Sequence, residues 1–520
     1  MPGEAMALLA ALPILAILVL MLGLRWSAVR AGAVGLLLSL LIATGAFGYG
    51  TAVLPELGVL GATGGGLLEA AFIAFTILWI VFPALCIHEL QQSSGAIERL
   101  RDAVGSLSSD PRIAAMMLAW FFALFMEGAA GFGTAAALTA PFLVSMGLGR
   151  VEAVTIVLIG HSIGVSFGAV GTPLIPLVAV TPYGANELAA SVAFYHAVLG
   201  LFMALVTMWL TGRALPAQRG QRLWLWALAA GALFLLPYYL IAANLGPELP
   251  TLGGSLLGAG AFIALLLAAR KPGTTVPKSR PTERGESLWL AAAPYLVLTV
   301  LILFTRLLPP VQHTLSALVL QWQFSRFGGQ MAGFYHPGTL LLLSFLVGAW
   351  CQRGMIQRSA LQRGATLRAI RAAMQRALQR LVPVALALLL MLGLSRIMVH
   401  AGMIETLAVS AATSAGAAWP VFAPFVGVLG AFVTGSATAS NILFAQFQLT
   451  SAEQLGLDAP ALLGAQGFGA AVGNMVAPHN VIAACATVGL AGKEGDVLRR
   501  TVPVMLVYTL LGGLLALGIS

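Results

Sequence analysis

Apolar segments long enough to cross a lipid bilayer recur along most of this 520-residue chain. A helix needs about 20 apolar residues to span a hydrocarbon layer roughly 30 Å thick. Backbone polar groups find no water there, so repeated segments of this length predict helices, whereas barrel strands would alternate apolar and polar residues. The clear segments are 6–24, 31–50, 67–88, 189–212, 223–243, 250–269, 288–307, 337–351, 381–400 and 501–519.

The chain has too few charged residues to cover a water-facing surface. Charged residues make up 9% of it and hydrophobic residues 59%, whereas an ordinary soluble domain is about 25% charged. The net charge of +9 arises in short loops between apolar segments, which is typical of cytoplasmic loops and not of a nucleic-acid-binding surface. The sequence predicts one all-α, multi-pass membrane domain over 1–520, with about 12–14 transmembrane segments.

Residues 352–380 form a strongly basic loop with seven arginines and no acidic residue. We expect this loop to be cytoplasmic and to contact anionic lipid. Arg396 lies near the end of the next apolar segment, where it either snorkels to the interface or binds a carboxylate. The three cysteines are too far apart to form a disulfide framework or a metal-site pattern, so neither a metal nor another cofactor is expected.

Two long apolar tracts, 113–180 and 402–490, are interrupted by glycine, proline and small polar residues. Each has an early turn that combines Gly with Thr or Ser, and a proline-containing break about forty residues later. The early turns are 131–134 and 434–438, and the later breaks are 171–173 and 477–479.

The arginine and lysine loops give the two tracts opposite orientations. If these loops are all cytoplasmic, and the early part of each tract enters and leaves on one side, the first tract ends outside and the second ends inside. Similar broken tracts of opposite orientation predict a secondary transporter with two inverted repeats, re-entrant hairpins and a mid-membrane site between the breaks. The alternative is that the glycines only permit close helix packing.

Broken helices suit the binding of a small anion. A break frees backbone N–H groups, and the N-terminal end of a half-helix carries partial positive charge. Small residues let an anion approach, and hydroxyl and amide side chains add hydrogen bonds, although such side chains also join helices without any ligand. The candidate substrate contacts are Gly131, Gly133, Thr134, Thr172, Ser436, Thr438, Ser440, Asn441, Asn474 and Asn480.

Glu127, His161 and His479 are the candidate proton-coupling residues. Glu127 starts the first interrupted segment, and an ionisable group within a membrane tract is costly enough to be a functional candidate. Its structural alternative is a carboxylate that accepts hydrogen bonds from the glycine-rich turn. His161 and His479 lie near the breaks of the two tracts, where imidazole can donate and accept protons. The alternative for each histidine is a packing role.

Five motifs in order resemble the bacterial L-lactate permease family. They are 125–134, 165–173, 430–441, 473–480 and 492–500, and the resemblance covers most of the chain. The resemblance implies symport of L-lactate, D-lactate or glycolate with protons across the bacterial inner membrane.

This chain departs from the family pattern in two motifs. Ala437 stands where the family usually has an acid, and 477–480 reads Ala-Pro-His-Asn in place of Ser-Pro-Gln-Ser. Another hydroxycarboxylate or a sulfonate therefore stays open as the cargo, and sodium stays open as the coupling ion.

Other functional classes fit the sequence less well. His88-Glu89 lacks the second histidine of a zinc-protease motif, so no enzymatic activity is expected. An ion channel would favour rings of charge or a repeated filter sequence, and neither is visible. The predicted partners are a small organic anion, protons or sodium, and membrane lipid, without nucleic acid, and the oligomeric state stays open.

Overall fold

The computed structural model describes most of the chain. The described residues are 2–22, 24, 26–105, 108, 110–131, 133–215, 222–269, 287–360, 365–490 and 493–520. The helices before the first tract are α1 (Pro2–Leu22), α2 (Ala28–Gly45), α3 (Gly58–Ser94) and α4 (Ala96–Gly105).

The first tract is a series of short helices. It comprises α5 (Pro111–Met117), a π turn (Leu118–Phe122), α6 (Ala123–Ala129), α7 (Thr134–Ser145), α8 (Arg150–His161), a 3₁₀ segment (Ser162–Phe167), the one-turn α9 (Gly168–Gly171), a 3₁₀ turn (Thr172–Leu174) and α10 (Ile175–Val180).

The middle of the chain connects the tracts through further helices and one small hairpin. Its elements are α11 (Ala185–Leu199), α12 (Leu201–Ala214), α13 (Leu223–Leu245), α14 (Pro250–Ala268), α15 (Leu288–Leu307), α16 (Pro309–Ala317), β1 (Val319–Phe324), β2 (Phe327–Ala332), α17 (Pro337–Cys351), α18 (Arg353–Ala360) and α19 (Ala365–His400).

The second tract and the last helix complete the fold. They comprise α20 (Met403–Ala415), a 3₁₀ turn (Gly416–Ala418), α21 (Trp419–Thr434), α22 (Ala437–Leu455), α23 (Ala459–Gly473), α24 (Pro478–Thr487) and α25 (Glu494–Ile519).

Many of these helices are suited to a bilayer, as predicted. Within the described ranges, nine helical stretches are long and apolar enough to cross a membrane, or ten if the bent pair α11 and α12 forms one span. Four further apolar helices are shorter. The expected 12–14 segments included such shorter helices, which hydropathy alone does not separate from full spans. The multi-pass helical class is confirmed.

The two tracts fold in the same order. In the first, α7 packs back along α6 and the π turn, which gives a helical hairpin with Gly131 and Gly133 at its tip. In the second, α21 and α22 form a hairpin with its tip at Gly435 and Ser436. After each hairpin comes a second helical stretch that is broken at 168–171 or at 474–477.

In each tract, the start of the helix that follows the hairpin lies beside the residues that come directly after the other tract. The Arg500 guanidinium, which follows the second tract, pairs with Glu152 at the start of α8 at 2.6 Å. At another place in the fold, the Ser191 hydroxyl, which follows the first tract, donates to the carbonyl of Pro460 at 2.7 Å, at the start of α23. Helix α7 also packs on α24, and α10 packs on α22. The contacts between the tracts are therefore reciprocal.

The first break contains backbone strain. Ala169 and Val170 have φ values of 42° and 56°, in the left-handed region where a side chain crowds the following carbonyl at a cost of about 1–2 kcal/mol per residue. The non-helical φ and ψ angles of these two residues put a kink in the helical stretch, so the segments before and after the break are not one continuous helix. Strain of this kind clusters at functional sites.

The two-stranded hairpin is the element that the all-α expectation lacked. Strands β1 and β2 pair antiparallel, with Val319 opposite Ala332 and Phe324 opposite Phe327. The Phe327 side chain is buried against Gly65 of α3. The segment contains alternating and glycine-rich residues and no span-length apolar run, so a search for membrane helices does not detect it.

Close packing of the second tract should make any larger residue at position 469 destabilising. A Cβ at this position of α23 would overlap the Pro424 carbonyl oxygen of α21, and overpacking of this kind costs about 1–3 kcal/mol. Gly469→Ala is therefore expected to lower the free energy of unfolding of the purified protein in detergent by that amount. Gly260→Ala is the matched control, since a Cβ there meets no atom within 4 Å. Equal stability of the two variants would contradict the packing argument.

Candidate functional site

A cavity of about 400 Å³ lies where the hairpin tips meet the helix breaks. Its polar side is formed by both tips and both breaks, and the residues of the first tract that line it are more than 250 positions from those of the second. The residues from the tips and breaks include Gly131, Gly133, Gly168, Ala169, Thr172, Thr434, Gly435, Ser436, Ala437, Thr438, Asn474 and Asn480.

Most of the residues expected to bind substrate line this cavity. The residues that line it are Gly131, Gly133, Thr172, Ser436, Thr438, Asn474 and Asn480. Glu127, one of the three candidate proton-coupling residues, lines it as well.

Ser440 and Asn441 lie one turn farther along α22 and serve as ties between elements. The Ser440 hydroxyl donates to the Gly427 carbonyl at 2.8 Å, within the second hairpin. The Asn441 amide donates to the Pro173 carbonyl at 2.8 Å, next to the first break. The first bond joins the two helices of the second hairpin, and the second bond holds that hairpin against the first tract.

Two predicted residues have side chains outside the described part of the chain. The backbone of Thr134 begins α7, directly after the first tip, and the backbone of His479 lies in the first turn of α24. The directions of these two side chains therefore stay predictions.

Helices begin at the cavity, as an anion site requires. Helix α7 starts after Gly133, α22 starts after Ser436 and α24 starts after the second break. The Ser436 hydroxyl caps α22 by accepting a hydrogen bond from the Ala439 N–H at 3.3 Å. The first N–H groups of a helix lack partners within the helix and carry partial positive charge, so they attract carboxylates.

Asn480 links the two tracts at the cavity wall. Its side-chain amide donates to the Asn474 carbonyl at 3.1 Å, across the second break. Its side-chain oxygen is buried without a hydrogen bond, and a Cβ on Gly133 of the first tip would lie 2.6 Å from that oxygen. Glycine at position 133 therefore permits the close approach of the first tip to the second break.

Glu127 is buried at the edge of the cavity, with 4% of the residue exposed. A Cβ on Gly168 would lie 2.5 Å from its Oε1 atom, so the carboxyl group rests against the first break. Its Oε2 atom has no hydrogen bond and lies 3.5 Å from Nδ1 of His161. His161 is fully buried and neither of its ring nitrogens has a hydrogen bond. Glu127 and His161 are therefore two neighbouring titratable groups, and Glu127 is the one nearer the cavity.

The opposite wall of the cavity was not predicted. It is formed mainly by α19, with Val384, Ala387, Leu388 and Met391 facing the cavity. Their spacing along one helical face is what any packed membrane helix shows, so they could not be distinguished in the sequence from residues that contact neighbouring helices. Ser27 and Val29, at the start of α2, complete this wall.

Arg396 does not snorkel and lies away from the cavity wall. Only 5% of it is exposed, and its Nη1 atom lies 3.8 Å from Glu69 of α3. Nε2 of His400 lies 2.6 Å from the other oxygen of Glu69. The carboxylate that Arg396 faces is thus part of the protein. Across the described residues, no group of three or more His, Cys, Asp or Glu side chains is arranged to hold a metal ion.

Comparison with known proteins gives a family match along almost the whole chain. The model of a family described as L-lactate permease matches residues 6–519. An L-lactate permease of Streptococcus iniae is 30% identical, over 87% of this chain and 92% of that protein. A protein named glycolate permease GlcA, of Escherichia coli, is 28% identical over 98% and 95%. An L-lactate permease of Bacillus subtilis is 28% identical over 82% and 81%.

Two solved structures of transporters align with this chain at low sequence identity and with TM-scores below 0.5. The YdaH transporter of Alcanivorax borkumensis is 14% identical, with a TM-score of 0.46 over 86% of each chain. MtrF of Neisseria gonorrhoeae is 13% identical, with a TM-score of 0.49 over 95% of this chain and 94% of that one.

Proposed function

Since this chain belongs to the L-lactate permease family, we propose that it moves L-lactate, D-lactate or glycolate together with protons across the bacterial inner membrane. The observation that carries the proposal is the cavity at which both hairpin tips and both helix breaks meet. Relatives named for lactate and for glycolate support small 2-hydroxycarboxylates as the cargo.

The cavity suits an anion that must be released as well as bound. Among the described residues that line it, none is Lys, Arg or His, and Glu127 is the titratable one. The carboxylate would bind to the N–H groups at the starts of α7, α22 and α24, which carry partial charge. The hydroxyls of Thr172, Ser436 and Thr438 would bind the 2-hydroxyl group. Without a fixed positive charge, the site holds the anion less strongly than an arginine pair would.

Glu127 would carry the coupled proton, and His161 is the titratable group next to it on the side away from the cavity. Small carboxylic acids are ionised at pH 7, as aspartate is. Moving one anion inward against 100 mV costs about 2.3 kcal/mol, and a proton moving with it removes that cost. A carboxyl group at the cavity edge can release its proton when the cargo leaves, because the same cavity gives both of them access to water.

The reciprocal packing of the two tracts supports alternating access by inverted repeats. Helix α7 meets α24, and α10 meets α22. If each hairpin moves with the broken helix of the other tract, a shift of one pair closes the cavity on one side and opens it on the other. The cargo would stay between the tips and breaks throughout this motion.

Uptake of radiolabelled L-lactate into proteoliposomes with an alkaline interior tests the function. We expect accumulation that collapses when the pH gradient is dissipated, and inhibition by unlabelled D-lactate and glycolate. Accumulation driven by a sodium gradient at constant pH would reject protons as the coupling ion. If lactate neither enters nor exchanges while a small sulfonate does, the proposed cargo is wrong.

A further inference from the structure

The cavity is divided into a polar side and an apolar side. The tips and breaks supply hydroxyls, amides and helix N-termini, whereas α19 supplies Val384, Ala387, Leu388 and Met391. The second tip adds Ala437, which lines the cavity and is 3% exposed. A cargo that contacts both sides has a charged head and an apolar tail.

Lactate is small for this space. A molecule of six non-hydrogen atoms occupies roughly 100 Å³, about the volume of three to four water molecules, whereas the cavity has about 400 Å³. With lactate at the tips, the face of α19 would still be covered by water, which is unfavourable for apolar surface.

We propose that the preferred cargo of this chain is a 2-hydroxymonocarboxylate with an apolar tail of three to seven carbons, whose tail packs on the α19 face formed by Val384, Ala387, Leu388 and Met391. The proposal rests on the proposed function, since the carboxylate and hydroxyl must bind at the tips. Lactate is then a cargo that uses only the polar side.

A series of competitors measures the contribution of the tail. Exchange of radiolabelled L-lactate is inhibited with 2-hydroxybutanoate, 2-hydroxy-4-methylpentanoate and 2-hydroxy-3-phenylpropanoate. Each methylene that leaves water for an apolar surface improves binding about fourfold, so the half-inhibitory concentration should fall at least about tenfold from lactate to the 4-methylpentanoate. Equal or rising values along the series would overturn the proposal.

Transport of the longer acids is measured separately from their binding. Vesicles loaded with unlabelled 2-hydroxy-4-methylpentanoate should accelerate the entry of labelled lactate, because a transported internal anion exchanges with the external one. Inhibition from outside without acceleration from inside would identify the long acid as a blocker, which also overturns the proposal.

Ala387→Phe tests the position of the tail. A ring at 387 fills the space beside α19, so the ratio of the half-inhibitory concentrations of lactate and 2-hydroxy-4-methylpentanoate should fall toward one. Ala385→Phe is the matched control, since Ala385 is on the same helix and does not line the cavity. An unchanged ratio in Ala387→Phe places the tail elsewhere and contradicts the inference. If that variant does not fold, the competitor series on the unmodified protein still decides.

The two proposals fail in different ways. Absence of both uptake and exchange for lactate and every longer acid rejects the proposed function. Exchange of lactate with weaker binding of the longer acids rejects only the apolar tail.

Discussion

Glu127→Gln is expected to abolish accumulation of lactate driven by a pH gradient. Each pH unit supplies about 1.4 kcal/mol, a factor of ten, to one coupled proton. A gradient of two units therefore supports an accumulation ratio of about 100, and the variant should approach a ratio of one. Glutamine keeps the shape of the protonated carboxyl group but does not bind and release a proton near neutral pH, so the anion gradient loses its link to the proton gradient.

Exchange separates lost coupling from a damaged site. Swapping labelled external lactate for unlabelled internal lactate needs no net proton movement, so Glu127→Gln should still show measurable exchange. Glu187→Gln serves as the control, because Glu187 is exposed at the start of α11, and it should accumulate lactate as the unmodified protein does. Full accumulation by Glu127→Gln would move the proton carrier to another group, with His161 the first to test.

The tips and breaks could be predicted from the sequence because the residues that form each of them are close together in the chain. Glycine, proline and hydroxyl residues concentrate where a membrane helix must stop and restart. Gly133, Ser436 and Asn474 could thus be selected by residue type and local context, and all three line the cavity. Ser440 and Thr438 belong to the same motif, yet only Thr438 lines the cavity. Which face of α22 points inward depends on packing against α21 and α23, which the motif does not contain.

The α19 wall and the buried charge cluster could not be predicted in the same way. Apolar residues at helical spacing, such as Val384 and Ala387, look alike whether they face lipid, a neighbouring helix or a cavity. Arg396 and Glu69 are separated by 327 positions in the chain, and only the packing of α3 on α19 brings them together. Long-range pairing of this kind leaves no trace in one sequence.

Arg396→Leu is expected to destabilise the protein by up to about 3–5 kcal/mol, because it leaves the partly buried Glu69 carboxylate without its cationic partner. The Arg396 side chain is 6% exposed and that of Glu69 is 14% exposed, with 3.8 Å between the charged groups. His400 remains at 2.6 Å from Glu69, and this hydrogen bond offsets only part of the loss. The free energy of unfolding in a denaturing detergent titration measures the effect.

Two comparisons show whether the lost charge pair causes the effect. Arg499→Leu removes the same side chain from an exposed pair with Asp496, where the arginine is 85% exposed, and solvent screening should make that change hard to measure. The double variant Glu69→Leu/Arg396→Leu removes both charges, and because no unpaired charge is then buried, it should be more stable than Arg396→Leu alone. If the double variant loses as much free energy of unfolding as Glu69→Leu and Arg396→Leu lose together, the two side chains act independently. The cluster then does not hold α3 to α19 through its charges.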